Sequence, residues 1–180
     1  MLSKITTQNN ALSMSSSNIV LVDRNDREIG FGDKTEVHQV GSLHRAVSVI
    51  ISNSEKEMLL QKRASQKYHS AGLWSNACCT HPFPNEEPYV AACRRLKEEL
   101  GISANLSFMY SIIYKANVPP DLVEHEFVHV FHGVYDGPIS PCPAEVEETR
   151  WVSLENIMTN LKRYPSHFTP WFHLYVKKFM

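Results

Sequence analysis

The chain has 180 residues, enough for one compact domain with a full hydrophobic core. Apolar residues make up 43%, charged residues 21%, and the net charge is -1, all ordinary globular values. No basic block points to nucleic acid, no acidic tail points to a partner, and no apolar run approaches the ~18 residues of a membrane span. Met1 to Asn18 is polar, rich in Ser, Thr and Asn, and lacks the apolar core of a secretory signal. It is expected to be a disordered leader to a single domain over residues 19–180. A cytoplasmic location follows, where thiols stay reduced. The four cysteines, Cys78, Cys79, Cys93 and Cys142, then form no disulfide framework, and without a Cys-x-x-Cys pair no structural zinc site is expected.

In chain order, Ile19 to Asp23 reads as a strand, followed by a turn at Asn25-Asp26. Ala46 to Ile51 and Glu57 to Gln61 read as a hairpin joined by Ser52-Asn53-Ser54. Glu86 to Leu100 is the clearest helix, with Val90, Cys93, Leu96, Lys97 and Leu100 on or beside one stripe. Asn85 is its expected cap, acidic residues open it, and Gly101 closes it. Strands follow at about 107–116 and 126–135, then a Pro-rich turn from Asp136-Gly137, and a strand over roughly 146–152. Ser153 caps a short helix, and Thr169-Pro170 opens a last helix to about residue 179. Mixed strands with few helices imply an α/β sandwich in which a mixed sheet lies between helices.

Four features bear on chemistry. Glu124-His125-Glu126 lies on a strand, so Glu124 and Glu126 share a face. The apolar run Phe127 to Phe131 makes that strand look central, where two carboxylates need a cation or proton between them. A solvated edge strand is the competing reading. Nine histidines are present, and three lie near candidate motifs: His38, His44 and His81. Imidazole with carboxylate suits a divalent transition metal. His69, His125, His129, His132, His167 and His173 are taken as surface or internally satisfied residues. Cys78 and Cys79 precede Thr80-His81-Pro82, and alternation turns the two cysteines to opposite sides. One is then free to act as a tuned acid or thiolate, although a buried cysteine is more often a small apolar residue. Lys34, Arg63, Lys67, Arg94 and Arg95 would suit a diphosphate if clustered.

Thr80 to Ile102 has the length of the Nudix box, G-x5-E-x7-R-E-U-x-E-E-x-G-U with U apolar. Glu86, Arg94, Leu96, Glu98, Glu99, Gly101 and Ile102 fall on its positions. Thr80 replaces the first glycine, and Arg95 replaces a glutamate that normally helps hold the metal for diphosphate hydrolysis. These departures, with Asn76 to Pro82, Leu43 to Ala46, Gln61 to Ala64, Glu124-x-Glu126 and Pro170-Trp171, resemble the type 1 isopentenyl-diphosphate isomerases. The resemblance runs from about Leu21 to the C-terminal helix, and the order and spacing of the motifs carry it.

The resemblance implies a Nudix-like α/β/α sandwich. Cys79 and Glu126 would be the catalytic pair, with Tyr114 beside Glu126 and Trp171 facing the reacting carbons. His38, His44, His81, Glu124 and Glu126 would form a site for one divalent metal, Mn2+, Mg2+ or Zn2+. Glu99, with the Cys79 carbonyl, would help hold a second ion, Mg2+, on the diphosphate. Lys34, Arg63, Lys67 and Arg95, with Thr80, would bind the diphosphate. Glu98 is expected to be a solvated helix residue. The implied partner is a small allylic or homoallylic diphosphate, with no nucleic acid or membrane, and the chain would be a monomer or weak homodimer. Two other readings stand beside this one. The first is a Nudix hydrolase of a nucleoside diphosphate derivative, and the second a Nudix-like module that binds diphosphate and metal without catalysis.

Overall fold

The structure, a computed structural model, describes residues 18–178. The leader expected over residues 1–18 lies outside them, apart from Asn18, which opens β1 (Asn18–Val22). There follow β2 (Glu28–Asp33), α1 (Lys34–Val40), β3 (His44–Ser52), β4 (Met58–Arg63), and the short β5 (Trp74–Ser75) and β6 (Cys78–Thr80). Next come α2 (Pro88–Leu100), the long antiparallel pair β7 (Leu106–Val118) and β8 (Leu122–Val134), and β9 (Val146–Val152). The chain continues through α3 (Leu154–Arg163), a 3-10 turn (Pro165–His167) and α4 (Pro170–Lys178). Among the described residues, no helix is long and apolar enough to cross a membrane.

Among the described residues, nine strands make one mixed sheet with β3 as its hub. On one edge β3 runs parallel to β8 along its whole length, from His44 opposite Glu126 to Ser52 opposite Val134. On the other edge it serves three antiparallel partners in turn: β1 at His44, β6 at Val47–Val49 and β4 at Ser52. The sheet therefore curls, and β6 fills the gap where β1 and β4 diverge.

β3 reads as a nearly continuous apolar run because both of its faces are covered. Ala46 and Ile50 join Leu60, Val128 and Val130 in a core closed by Ile157, Phe172 and Tyr175 of α3 and α4. Val47, Val49 and Ile51 face the opposite core with Leu59, Cys78 and Phe131, closed by Ala91, Ala92, Leu96 and Leu100 of α2. Complete burial of Phe172 and Leu96 contributes about 1.5–3 kcal/mol each. The sandwich inferred from the strand and helix pattern is the one observed.

Several local expectations are corrected. The helix expected from Glu86 begins at Pro88, and Asn85 does not cap it: Asn85 sits in a left-handed turn at φ 65°. Glu87 is the cap residue, without a side-chain bond, and Pro88 takes the first position, where its missing N–H costs nothing. Glu86 instead accepts from the Phe83 N–H and pairs with Arg94. The buried face of α2 is Ala91, Ala92, Leu96, Glu99 and Leu100, while Val90 is exposed. Gly101 closes the helix as expected, at φ 69°. The helix α1 was not anticipated. Asp33 caps it by accepting from the Thr35 and Glu36 N–H groups, and Gly41 ends it in the left-handed region. β7 and β8 are longer than expected, so Glu124 stands inside the ladder.

Candidate active site

Strand register alone assembles most of the site. Tyr114 pairs with Glu126 across β7 and β8, and Glu126 with His44 across β8 and β3, so the three form one row across the sheet. Period-two alternation keeps Glu124 and Ser48 on the same face. Ser48 pairs with Cys79 of β6, which brings Cys79, and His81 two residues on, to that face as well. Cys78 turns the other way into the core beneath α2, so the two cysteines do point to opposite sides. All four cysteines are free.

α1 adds His38. Single ligand atoms of His38, His44, His81 and Glu124 lie within 4.8 Å of one another. His38 Nδ1 lies 2.6 Å from the Lys34 carbonyl and His44 Nδ1 2.9 Å from that of Ser42, so both Nδ1–H groups donate to backbone. That tautomer leaves a lone pair on each Nε2, aimed inward. Among the described residues neither Nε2 has a hydrogen-bond partner, although both are buried. Glu124 Oε2 is likewise unpartnered; it lies 3.3 Å from His38 Nε2, but outside hydrogen-bond geometry. Three orphaned acceptors converging at one point are costly unless something completes them, and a divalent ion would do so. The donor set therefore fits a metal.

Glu126 is held from several sides. Its Oε1 lies 3.0 Å from His81 Nε2 and 3.8 Å from His44 Nε2, and its Oε2 accepts from the Tyr114 hydroxyl at 2.6 Å. Burial opposes its ionisation, but His44 and Tyr114 outweigh burial and hold the carboxyl below the usual range. Glu124 is subject to the same opposition from burial and from Glu126. The nearby His38 and the contact with His69 prevail, holding it at about 2. Burial, with the neighbouring His44 and Lys34, drives His81 well below its ordinary value, which keeps its ring neutral.

The Cys79 thiol sits 3.5 Å from Ser48 Oγ and 3.6 Å from Asn76 Oδ1. Burial pushes it up to about 12, with only partial relief from those two neighbours. Trp171, at the start of α4, is fixed by its Nε1–H donating to Ser75 Oγ at 2.9 Å. The Thr169 hydroxyl, in the turn before the helix, also donates to Ser75.

These groups open on one cleft. Its lining includes Cys79, Thr80, Tyr114, Glu126 and Trp171, and it includes Lys34, Arg63, Lys67 and Arg95. Lys67 and Arg95 meet at one oxygen of Glu145, and Arg63 lies over the Trp171 ring. Burial and repulsion from Lys67 lower the Lys34 ammonium, against the pull of Glu124. Of the expected basic cluster, Arg94 is not in the cleft. It pairs with Glu86 and Glu98 and stacks on Phe83. Glu98 is a surface partner of Arg94 and Arg95, as expected. Glu99 is buried and bonded to Arg95 Nε at 2.7 Å and to Gln61 Nε2 at 2.9 Å, rather than lying among the histidines.

Three residues of this site were missed or misread from sequence. Tyr68 and His69 line the cleft, and His69 Nε2 lies 2.9 Å from Glu124 Oε1, so it is no isolated histidine. Glu145 neutralises two of the basic groups. No local pattern marks any of the three, because their partners are distant in the chain.

A curled mixed sheet between helices, a box of acidic and basic residues on α2, and a cleft joining a histidine–glutamate cluster that could hold a cation to a basic patch are the features of a Nudix protein. The sequence pattern of the NUDIX domain family matches residues 42–172. The fold resembles DR0079 of Deinococcus radiodurans, with a TM-score of 0.73 at 16% identity over 89% of this chain and 98% of that one. It also resembles the MutT protein of Methanosarcina mazei, with a TM-score of 0.63 at 22% identity over 76% of this chain and 92% of that one. Relatives closer in sequence are more specific. The chain is 48% identical over 153 residues to isopentenyl-diphosphate Delta-isomerase 1 of Aromatoleum aromaticum, covering 85% of this chain and 86% of that protein. It is 47% identical over 154 residues to isopentenyl-diphosphate Delta-isomerase of Serratia proteamaculans, covering 86% of each. The chain belongs to the Nudix superfamily and, within it, to the type 1 isopentenyl-diphosphate isomerases.

Proposed function

We propose that the chain interconverts isopentenyl and dimethylallyl diphosphate in the cytoplasm, adding a proton at one carbon and removing another two carbons away. The observation that carries this reading is the shared face of Cys79 and the Tyr114–Glu126 pair in one cleft with four basic side chains. An alkene is a weak base, so the proton donor must be close and well oriented. Glu126 with Tyr114 is the protonating side, through the hydroxyl proton that Tyr114 holds toward Glu126, and Cys79 is the deprotonating side once its thiol, raised to about 12 in the free site, has lost its proton to solvent; because the isomerisation is reversible, each group also serves in the opposite sense. The intermediate is a tertiary carbocation. Trp171 stabilises it through its π face and, with the surrounding core, excludes water that would capture it.

The diphosphate is an anchor rather than the reacting group. Lys34, Arg63, Lys67 and Arg95, with Thr80, bind it, and their binding energy orients the five-carbon tail. His38, His44, His81, Glu124 and Glu126 would hold one divalent ion, Mn2+, Mg2+ or Zn2+. Glu99, bonded in this structure to Arg95 and Gln61, would with the Cys79 carbonyl help hold Mg2+ on the diphosphate. When bound at the histidine cluster, a cation would supply positive charge beside Glu126 and so make that group and Tyr114 better proton donors.

The rival reading is hydrolysis of a nucleoside diphosphate derivative. Arg95 counts against it: its guanidinium pairs with Glu99 from the box position of a metal-binding glutamate. Replacing Cys79 by Ala tests the assignment. The variant should take up no deuterium from solvent into product, and turnover like that of the wild type would sink the role of Cys79.

A further inference from the structure

His69 lies in the loop between β4 and β5, on neither the strands nor the helix that carry the candidate metal ligands. It is nonetheless buried against the cluster. Its Nδ1 is 3.1 Å from Ser70 Oγ, and its Nε2 is 2.9 Å from Glu124 Oε1. If Ser70 donates its hydroxyl hydrogen to Nδ1, the ring hydrogen is on Nε2 and is donated to the carboxylate. Ser70 adopts a left-handed φ of 50°, uncommon for a residue other than glycine. The bond to Oε1 leaves Oε2 as the unpartnered oxygen, beside His38 Nε2.

The same residue reaches two other parts of the cleft. Its backbone carbonyl accepts from Arg63 Nη2 at 3.2 Å. Its ring meets Trp171 edge to face, with centroids 5.8 Å apart.

We propose that His69 is a positioning residue that turns one oxygen of Glu124 toward the metal and holds the metal site in register with the diphosphate-binding Arg63. A carboxylate with both oxygens free can rotate. With Oε1 occupied by a donor, Oε2 presents itself in one orientation, as outer-sphere donors do for metal ligands generally. Arg63 hangs from the same residue, so a shift of this loop moves the metal carboxylate and the diphosphate guanidinium together.

The inference rests on the reading of the histidine–glutamate cluster as a metal site, and the test separates the two. Mn2+ affinity of the metal-free protein is measured by the free-ion electron paramagnetic resonance signal, with melting temperatures as a check on folding. His69→Phe keeps a ring against Trp171 but removes the donor, whereas His69→Gln keeps a donor of similar reach. His69→Phe should weaken Mn2+ binding by roughly 10- to 100-fold, and His69→Gln should recover most of that loss. If His69→Phe does not fold, the same contrast is read from His69→Ala against His69→Gln. Unchanged affinity in the donor-less variant, or equal loss with and without the donor, overturns the role of His69. Equal Mn2+ binding by the wild type and His38→Ala instead overturns the metal site itself.

Discussion

Asn76 braces Cys79, the proposed deprotonating group, without itself lining the cleft. It is fully buried in the turn between β5 and β6. Its Nδ2 lies 2.9 Å from Ser48 Oγ, 2.9 Å from the Val49 carbonyl and 3.1 Å from the Cys78 carbonyl, while its Oδ1 accepts from Ser75 Oγ at 3.2 Å. One amide thus ties β6 to the hub strand on either side of Cys79. Asn76→Ala withdraws both N–H hydrogens from buried acceptors. At about 1 kcal/mol net per bond, plus the cost of acceptors left bare, the loss is roughly 2–5 kcal/mol. Against a total stability of about 5–15 kcal/mol the protein still folds. Its melting temperature should fall by roughly 5–20 °C, and its urea midpoint should fall with an unchanged slope. With Cys79 less firmly placed, kcat should drop by roughly 10- to 100-fold in the deuterium-exchange assay. Asn76→Asp keeps the shape but sets an acceptor against acceptors, so it should be at least as harmful as Ala. An Asn76→Ala protein within about 0.5 kcal/mol of the wild type, with full turnover, would refute this reasoning.

Tyr114→Phe removes the hydroxyl that donates to Glu126, and should lower kcat by roughly 100-fold or more while leaving KM nearly unchanged. Trp171→Phe keeps an aromatic wall with a weaker face for a cation, and should lower kcat by roughly 2- to 30-fold, again with little change in KM. Glu86 gives a pH-dependent stability. Burial opposes its ionisation, but Arg94 and the Phe83 N–H hold its pKa below the unfolded value. The sign follows: the contribution is present above the unfolded carboxyl pKa and is lost as pH falls through the lower folded value. Glu86→Gln should therefore be less stable than the wild type at pH 7, by no more than about 1 kcal/mol, and equally stable in strong acid by urea unfolding.

The parts of the fold that could be read from sequence are those whose signals are local. The α2 helix shows its period and its closing glycine within a few turns, and the alternation of Glu124 with Glu126 and of Cys78 with Cys79 fixes their faces without any partner strand. The start of α2 was misread because Asn85 is a good cap by type, yet it is already committed to a left-handed turn before Pro88. The α1 helix is seven residues long with only Val37 and His38 buried, too short for a period, although Asp33 and Glu36 at capping distance were a usable sign. His69 could not be told from its neighbours in type, because only the register of β8 brings Glu124 to it. Glu145 acquires its meaning in the same way, from the positions of Lys67 and Arg95.

The central claim is that this cleft moves protons on carbon and leaves the diphosphate intact. The direct measurement is incubation of isopentenyl diphosphate with the metal-loaded protein in deuterium oxide, with and without chelator, followed by NMR of the diphosphate products. The predicted result is dimethylallyl diphosphate carrying solvent deuterium, formed only without chelator and with no phosphate released. Recovery of unlabelled isopentenyl diphosphate, or release of phosphate in place of isomerisation, would contradict it.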